Sequence, residues 1–163
     1  MRLDRRAFLG LGGAALCGGV ATMFAGRPVE AEQRRFAFTL TDAQWRQRLN
    51  PQQFSVLRGH ATERAGSSPL DNEHRRGTFH CAGCGQPLFS SRAKFDSGTG
   101  WPSFWRPLPR AVGTREDRSL MMARTEVHCA RCGGHLGHVF NDGPRPTGLR
   151  YCMNGVAMTF RPA

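Results

Sequence analysis

Lysine, tyrosine and acidic residues are scarce in this 163-residue chain. Lys94 is its only lysine and Tyr151 its only tyrosine, and 12 acidic residues stand against 23 basic ones, for a formal net charge of +11. A charge of this size suggests nucleic acid as a partner. The arginines, however, occur singly or in pairs such as Arg75-Arg76, without interleaved aromatic residues. The pattern therefore disfavours nucleic-acid binding and indicates an arginine-rich surface.

Long apolar runs are also missing beyond residue 31, so no later segment is expected to span a membrane. Residues 1–31 have the layout of an export signal, with a charged start, an uncharged stretch and small residues before a cleavage position at Ala31. Within it, Asp4-Arg5-Arg6-Ala7-Phe8-Leu9 resembles the twin-arginine signal that the Tat export machinery recognises. These residues predict an exported, periplasmic bacterial protein, or a membrane-tethered one if the signal is not cleaved.

The rest of the chain has the length of one domain, which we predict at residues 41–163 after a linker at residues 32–40. Thr41 to Gln44 has the form of a capping box, and Asn50-Pro51 has the form of a helix cap followed by proline. Two short helices are therefore expected, at about 42–49 and 51–58.

From Gly77 onward, short apolar runs are separated by glycine, proline and Asn-Asp-Gly-Pro turns. Stretches with helical periodicity are absent from this part of the sequence. The pattern predicts a small antiparallel β domain.

One motif occurs twice: His80-Cys81-Ala82-Gly83-Cys84-Gly85 is echoed by His128-Cys129-Ala130-Arg131-Cys132-Gly133. Two such Cys-x2-Cys knuckles can complete a closed tetrahedral shell for zinc, which is typical of a structural ion. Two disulfides, or a thioredoxin-like redox pair, are the alternatives. We predict one structural Zn²⁺ per chain, bound by four thiolates: Cys81, Cys84, Cys129 and Cys132.

If Cys17 leaves with the signal and four cysteines bind zinc, Cys152 is the one that remains. The two-residue period of a strand would place Arg150, Cys152 and Asn154 on one face. A nearby guanidinium favours the thiolate, which would activate Cys152 at neutral pH. The alternative is a buried, unreactive thiol, since free cysteine is among the most buried residue types.

Two further segments have no evident structural role, namely Gly100-Trp101-Pro102-Ser103-Phe104 and His135-Leu136-Gly137-His138-Val139-Phe140. The alternative is that Trp101 and Phe104 belong to the core and that His135 and His138 are ordinary surface or core histidines. Together with the knuckles, Lys94-Phe95-Asp96-Ser97-Gly98 and Arg150-Tyr151-Cys152-Met153-Asn154, they occur in the order found in the methionine-R-sulfoxide reductases. The chain resembles that family from about residue 40 to Pro162.

The resemblance implies a mainly β fold of two antiparallel sheets, with short N-terminal helices and a zinc site remote from the reaction centre. It implies that Cys152 is the catalytic nucleophile, and that Trp101 receives the methyl group of the substrate. His135, His138 and Asn154 would surround the sulfoxide oxygen, a strong hydrogen-bond acceptor, and Phe104 and Arg150 would complete the pocket. Oxidised proteins, or methionine sulfoxide itself, would be the substrate.

Thr99 stands where many members of that family carry a second, resolving cysteine. Because threonine cannot form a disulfide, the sequence predicts that an external thiol, from a thioredoxin-like protein or a small molecule, regenerates Cys152. The alternative function is a zinc-knuckle module that binds an acidic partner without catalysis.

Overall fold

The computed structural model of the chain describes residues 36–119 and 123–163. The export signal predicted at residues 1–31 lies outside these described residues. Across the two described ranges, no helix combines the length and the apolar character needed to cross a membrane.

Two short helices lie at the N-terminal end of the described chain: α1, Asp42–Arg48, and α2, Pro51–Gly59. The side chains of Thr41 and Asn50 accept hydrogen bonds from the backbone N–H groups three residues further on, and glutamines at those positions bond back to the cap residues. Both predicted helix starts are therefore confirmed, because capping boxes satisfy backbone donors that have no partner within the helix.

Residues 36–40, which the sequence assigned to a linker, lie against the domain. The backbone N–H of Phe38 donates to the Arg131 carbonyl oxygen at 2.9 Å. Its ring lies 5.7 Å from that of Trp45, and the Arg48 guanidinium lies 5.4 Å from its centroid. The folded unit thus begins before residue 41, because an aromatic side chain anchors this segment.

Nine strands follow α2 within the described residues. They are β1 (Gly77–Cys81), β2 (Pro87–Ser90), β3 (Lys94–Phe95), β4 (Ser103–Phe104), β5 (Val112–Asp117), β6 (Arg124–Cys129), β7 (His135–Phe140), β8 (Arg150–Met153) and β9 (Met158–Pro162). Short 3-10 helices occupy Pro69–Asn72, Ser91–Ala93 and Gly155–Ala157.

The strands form two antiparallel sheets, as the resemblance implied. The smaller sheet has the order β2-β1-β9, and the larger has the order β3-β4-β8-β7-β6-β5. Strand β8 lies in the interior of the larger sheet, between β4 and β7, so its residues have hydrogen-bonded neighbours on both sides. The last strand, β9, pairs with β1 and closes the domain.

The core lies between the sheets and is rich in phenylalanine. Phe79 of β1 and Phe89 of β2 are fully buried, and their rings lie 4.9 and 4.3 Å from the ring of Phe104 on β4. These contacts join the inner faces of the two sheets, and the opposite face of the larger sheet is left for polar side chains.

Candidate active site and metal centre

Cys152 belongs to a row of polar side chains that crosses the larger sheet. Ser103 of β4 and His138 of β7 are its direct partners on either side. Glu126 of β6 lies opposite His138, and Arg115 of β5 lies opposite Glu126. Because directly opposed residues in an antiparallel ladder project from the same face, the pairing brings five strands to one polar surface.

A bulge in β7 explains why His135 and His138 lie together. Residues three apart in a regular strand project from opposite faces. Here β6 pairs first with Gly137 and next with His135, so Leu136 is an extra residue in β7 and the register shifts. The two imidazole rings consequently lie 5.4 Å apart. The bulge therefore places His135 and His138 on the same face of the sheet, whereas a regular strand would place them on opposite faces.

Gly137 permits this arrangement. A Cβ atom at this position would clash with the Cys152 carbonyl oxygen and would come within 3.0 Å of the Met153 Cα atom. Glycine therefore lets the bulged strand approach β8 closely at the level of the thiol.

Two carboxylates hold the histidines, and the sequence analysis found neither of them. His135 Nδ1 lies 2.8 Å from Glu126 Oε1, and His138 Nε2 lies 2.7 Å from Asp117 Oδ2. Because each carboxylate accepts a hydrogen bond, it favours the tautomer that carries the proton on the bonded nitrogen. The other nitrogen of His135, Nε2, is buried and has no hydrogen-bond partner among the described residues. Its hydrogen-bonding capacity is therefore unused within the described residues.

Glu126 is ionised in this setting. Burial raises the pKa of its carboxyl group, but hydrogen bonds from His135, His60 and Arg115 and the positive charge of Arg115 outweigh burial and bring the pKa well below its usual range. Burial lowers the pKa of His138, and the bond to Asp117 opposes that shift only in part. The site at neutral pH thus combines a carboxylate with an uncharged His138 imidazole.

The Cys152 thiol is partly buried, and burial raises its pKa above the ordinary value. The Thr99 hydroxyl, the Arg150 guanidinium and the Ser103 hydroxyl each lower it, but by less than burial raises it. Arg150 therefore lowers the pKa of Cys152, as its position in the sequence predicted, but burial raises that pKa by more. The thiolate expected at neutral pH is a minor form, because the loss of hydration outweighs the nearby positive charge.

Arg150 interacts with the Cys152 thiol and with one acidic residue, Asp142. Its Nε and one terminal nitrogen donate to the two carboxylate oxygens of Asp142 at 2.9 and 2.7 Å. The guanidinium also lies 4.5 Å from the centroid of Phe140, its partner in the ladder. The bidentate bond holds the cation in one orientation beside Cys152.

A chain of hydroxyl groups runs from Cys152 to the backbone. Thr99 Oγ1 lies 3.9 Å from Cys152 Sγ and 2.8 Å from Ser97 Oγ. Ser97 Oγ lies 2.7 Å from Ser103 Oγ, and Ser103 donates to the Trp101 carbonyl oxygen at 3.1 Å. Thr99 therefore places a hydroxyl group against the thiol.

Trp101 and Asn154 are both tied to one residue that the sequence analysis missed, Glu63. The indole Nε1 of Trp101 donates to the Glu63 carbonyl oxygen at 3.2 Å, and Asn154 Oδ1 accepts from the Glu63 backbone N–H at 2.9 Å. Asn154 Nδ2 donates to the Leu136 carbonyl oxygen at 3.1 Å, and Asn154 is buried. Strand β8 ends at Met153, so the alternation that would align Asn154 with Cys152 does not reach it. The structure thus places the Asn154 amide on backbone groups.

The structure places Phe104 away from the site. Its neighbour Ser103 is the residue that lies opposite Cys152, and Phe104 is paired with Tyr151. Phe104 is fully buried and stacks on Phe89. The proposed contact between Phe104 and the substrate is therefore corrected to a core contact, because adjacent strand residues face opposite sides of the sheet.

The four knuckle cysteines converge in the structure. Cys81 Sγ lies 3.7 Å from Cys132 Sγ, and Cys84 Sγ lies 3.5 Å from Cys129 Sγ. All four are buried free thiols. A disulfide would need about 2.05 Å between sulfurs, whereas Zn–S bonds of about 2.3 Å in a tetrahedron separate them by about 3.8 Å. The cluster therefore has the donor set and spacing to hold a metal ion, consistent with zinc.

Electrostatics also favour a cation within the cluster. Hydrogen bonds that the Cys81 thiol donates to the sulfurs of Cys129, Cys132 and Cys84, together with burial, raise its pKa well above the usual value. Four thiolates are compatible in this volume only when a cation neutralises them. The chemistry of the donors thus fits the ion that the sequence predicted.

The N-terminal helices and an arginine brace both knuckles. Arg48 Nε donates to the Gly83 carbonyl oxygen at 2.5 Å, and Arg58 donates to that of Cys132 at 3.3 Å. Arg131 donates to the Cys84 carbonyl oxygen at 3.1 Å, which links one knuckle to the other. The helices thus support the four-cysteine cluster.

Comparison with known proteins agrees with this geometry. A family model described as SelR domain matches residues 49–162. Proteins named peptide methionine sulfoxide reductase MsrB are 54% identical over 123 residues in Agrobacterium fabrum, covering 75% of this chain and 91% of that protein, and 56% identical over 123 residues in Thiobacillus denitrificans, covering 75% and 93%. The chloroplastic peptide methionine sulfoxide reductase B1 of Arabidopsis thaliana is 49% identical over 130 residues, covering 79% and 64%. The chain therefore belongs to the SelR-domain family of peptide methionine sulfoxide reductases.

Proposed function

We propose that this chain reduces the R epimer of methionine sulfoxide, in oxidised proteins or as the free amino acid, with Cys152 as the nucleophile. The observation that carries this proposal is the position of Cys152 between Ser103 and His138 on the polar face of the larger sheet. The relatives named peptide methionine sulfoxide reductase support the same reaction.

In the first half of the reaction, Cys152 Sγ attacks the sulfoxide sulfur. A transient bond forms between the two sulfurs, and the S–O bond of the substrate breaks as its oxygen passes to Sγ. The sulfur–sulfur bond then breaks, which releases methionine and leaves Cys152 as a sulfenic acid. The substrate sulfur is reduced by two electrons and the Cys152 sulfur is oxidised by two. Because the thiol is mostly protonated, it supplies the one proton that the sulfoxide oxygen takes up. The step therefore consumes no proton from solution, but a side chain must carry the proton from Sγ to the oxygen.

His135 and His138 are the groups that move this proton. His138 lies across the ladder from Cys152, and the unpartnered Nε2 of His135 is buried within the same cluster. Their ring centroids lie 5.4 Å apart, and we expect both rings to contact the oxygen of a bound sulfoxide. Glu126 and Asp117 act as positioning residues, since each fixes the tautomer of its histidine.

Trp101 provides the apolar part of the pocket. Its indole face suits a methyl thioether group, and its Nε1 is fixed to Glu63. A pocket with an apolar wall on one side and imidazoles on the other distinguishes the two hands of the sulfoxide. This asymmetry is the physical basis for selecting the R epimer.

In the second half of the reaction, an external thiol regenerates Cys152. The thiol attacks the sulfenic sulfur, water leaves, and a second thiol resolves the mixed disulfide. The Thr99 hydroxyl lies 3.9 Å from Cys152 Sγ, and a hydroxyl cannot form the disulfide that would resolve the sulfenic acid internally. A thioredoxin-like protein or a small thiol fits this requirement. Mass spectrometry after one turnover should show a sulfenate or mixed adduct on Cys152, and an internal Cys152 disulfide would contradict the cycle.

Cys81, Cys84, Cys129 and Cys132 would hold one Zn²⁺, which would supply structural stabilisation and no chemical step. Four sulfur ligands leave no position open for water or substrate. The knuckles join β1–β2 to β6–β7, so the cluster cross-links the two sheets near their ends. Metal analysis of the purified chain should give one zinc per molecule.

Residues 1–31 would direct export to the periplasm through the Tat machinery. The support is the Arg5-Arg6 pair and the uncharged stretch that follows it. This route carries folded proteins, so zinc would be loaded in the reducing cytoplasm before export. Replacing both arginines by lysine should leave a folded precursor inside the cell, and unchanged export would contradict the assignment.

The experiment that tests the reaction uses racemic dabsyl-methionine sulfoxide with dithiothreitol and separates the two epimers. The mature chain should consume the R epimer alone, and Cys152→Ser should abolish consumption. Thr159→Ser, at an exposed residue of β9, is the matched control and should retain activity. A folded, zinc-loaded chain that consumes neither epimer would instead favour the binding-module alternative.

A further inference from the structure

A buried acidic residue that no reaction step uses connects both walls of the active site. Glu63 lies in the segment between α2 and the first 3-10 helix and is only 6% exposed. Buried carboxylates are rare unless their oxygens accept good hydrogen bonds. Glu63 makes four hydrogen bonds, two through its carboxylate and two through its backbone.

The Glu63 carboxylate caps a helix from a distant part of the chain. Gly155 N–H donates to Oε1 at 2.5 Å, and Val156 N–H donates to Oε2 at 2.9 Å. These are the first amides of the 3-10 helix Gly155–Ala157, which begins three residues after Cys152. Such amides have no partner within the helix and require an acceptor.

Asn154 occupies the N-cap position of this helix, yet its side chain makes no capping bond there. Its Oδ1 accepts the Glu63 N–H instead, and its Nδ2 donates to Leu136 on β7. The Glu63 side chain thus caps the helix that follows Asn154, and the Asn154 side chain accepts the backbone N–H of Glu63. These bonds fix the Glu63 backbone relative to the end of β8.

The same backbone holds Trp101. The Glu63 carbonyl oxygen accepts the indole N–H at 3.2 Å, and Gly66 N–H donates to the Gly100 carbonyl oxygen at 2.7 Å. A Cβ on Gly100 would come within 2.8 Å of Gly66 N and 3.0 Å of the Ala65 Cβ, so the two segments are in close contact. Residues 63–66 therefore form a strap that spans from Trp101 to the end of the Cys152 strand.

We infer that Glu63 is a positioning residue that sets the distance between the Trp101 indole and Cys152, and so determines how large an S-alkyl group the site accepts. Its carboxylate binds the strap to the amides of Gly155 and Val156, and its backbone carbonyl oxygen holds the indole N–H of Trp101. The inference rests on the proposed function, because it assigns a purpose to Trp101 in that reaction.

The test compares methionine sulfoxide with ethionine sulfoxide, which carries one more methylene on the sulfur. A pocket wall typically discriminates one methylene by about 10- to 200-fold in kcat/KM. The ratio of the two kcat/KM values is independent of the fraction of folded enzyme. Glu63→Gln, which keeps the shape but loses one acceptor, should lower this ratio by about fivefold, and Glu63→Ala should lower it further.

Two controls separate positioning from loss of folding. Leu88→Ala weakens the core in the smaller sheet and should leave the ratio unchanged even where it lowers activity. In a Trp101→Ala background, Glu63→Gln should change the ratio no further, since both substitutions act through the same wall. A ratio in Glu63→Gln that matches the wild type would overturn the inference.

NMR spectroscopy tests, without any measurement of activity, whether Glu63 holds Trp101 in place. In ¹H–¹⁵N spectra, Glu63→Gln should shift the Gly155 and Val156 amides together with the Trp101 indole N–H. Shifts at the two amides alone would overturn the inference, because the anchor would then not reach the indole. A wild-type chain that reduces neither substrate would refute the proposed reaction, and these spectra would still decide whether Glu63 holds Trp101.

Discussion

His138 lies directly opposite Cys152 in the ladder between β7 and β8, and its Nε2 is held 2.7 Å from Asp117 Oδ2. This relationship leaves Nδ1 as the free ring nitrogen. Burial lowers the pKa of His138, so the ring next to the thiol is uncharged at neutral pH. A neutral imidazole beside a protonated thiol is suited to carry the proton that attack on a sulfoxide displaces.

Replacing Thr99 by valine should raise the pKa of Cys152. The hydroxyl lies 3.9 Å from Sγ and is one of the groups that oppose the effect of burial. We expect iodoacetamide to alkylate Thr99→Val about two- to tenfold more slowly than wild type at pH 8, since one pKa unit corresponds to a tenfold change in thiolate. Thr99→Ser keeps the hydroxyl and should react at nearly the wild-type rate. Equal rates for valine and wild type would show that the hydroxyl does not stabilise the thiolate.

Glu126→Gln should destabilise the fold at neutral pH and much less in acid. The pKa of Glu126 is lower in the folded chain than the unfolded value of about 4.3. A depressed folded pKa means that the contribution is present above pH 4.3 and is lost as pH falls from there toward the folded value. We expect a deficit of about 1–3 kcal/mol at pH 7, from hydrogen bonds to a charged group.

The measurement for Glu126 is urea unfolding of wild type and variant between pH 7 and pH 3. The difference between the two curves reports the loss of the carboxylate together with its contacts to His135 and His60. Glu116→Gln, on the exposed side of β5, is the matched control and should track the wild type. A gap that stays constant below pH 4 would contradict the ionised, hydrogen-bonded carboxylate.

Phe104→Ala should act on stability and leave substrate choice intact. Truncating a fully buried phenylalanine costs about 3–5 kcal/mol, because packing with Phe79 and Phe89 is lost. Thermal unfolding would measure the loss, and the R-to-S epimer ratio of the remaining activity should equal that of wild type. An altered ratio would return Phe104 to the substrate pocket.

Removing the metal from the four-cysteine cluster should unfold the ends of both sheets. Metal binding is coupled to folding where thiolates would otherwise repel one another. A strong chelator, or Cys129→Ser, should lower the melting temperature and release zinc measured by a colorimetric dye. Cys152→Ser should keep its zinc and its melting temperature, which separates the two kinds of cysteine.

Local chemistry in the sequence predicted the helix starts and the knuckles well. Thr41 and Asn50 act on amides three residues away, so their capping boxes are readable from sequence alone. The two Cys-x2-Cys turns likewise carry their ligand geometry within four residues each. Cys152 was reached by elimination and by resemblance to a known family.

Contacts between distant segments escaped prediction. Glu63 and Asn154 are 91 residues apart in the chain, and neither belongs to a motif that implies the other. The Leu136 bulge reverses the alternation that strand reasoning assumes, so only the register of β6 on β7 shows that His135 and His138 share a face. The burial of Phe104 followed from which side of β4 meets the smaller sheet.

The sequence by itself determined the types of group available for the proposed chemistry: one thiol outside the knuckles in residues 41–163, two imidazoles, an indole, and four thiols spaced for a metal. The tertiary structure decided their states and their separations. Burial raises the pKa of Cys152 by more than Arg150 lowers it. Strand pairing selects which residues of β4 and β7 face the thiol. Both effects depend on what surrounds a residue in space, and a one-dimensional pattern does not record those surroundings.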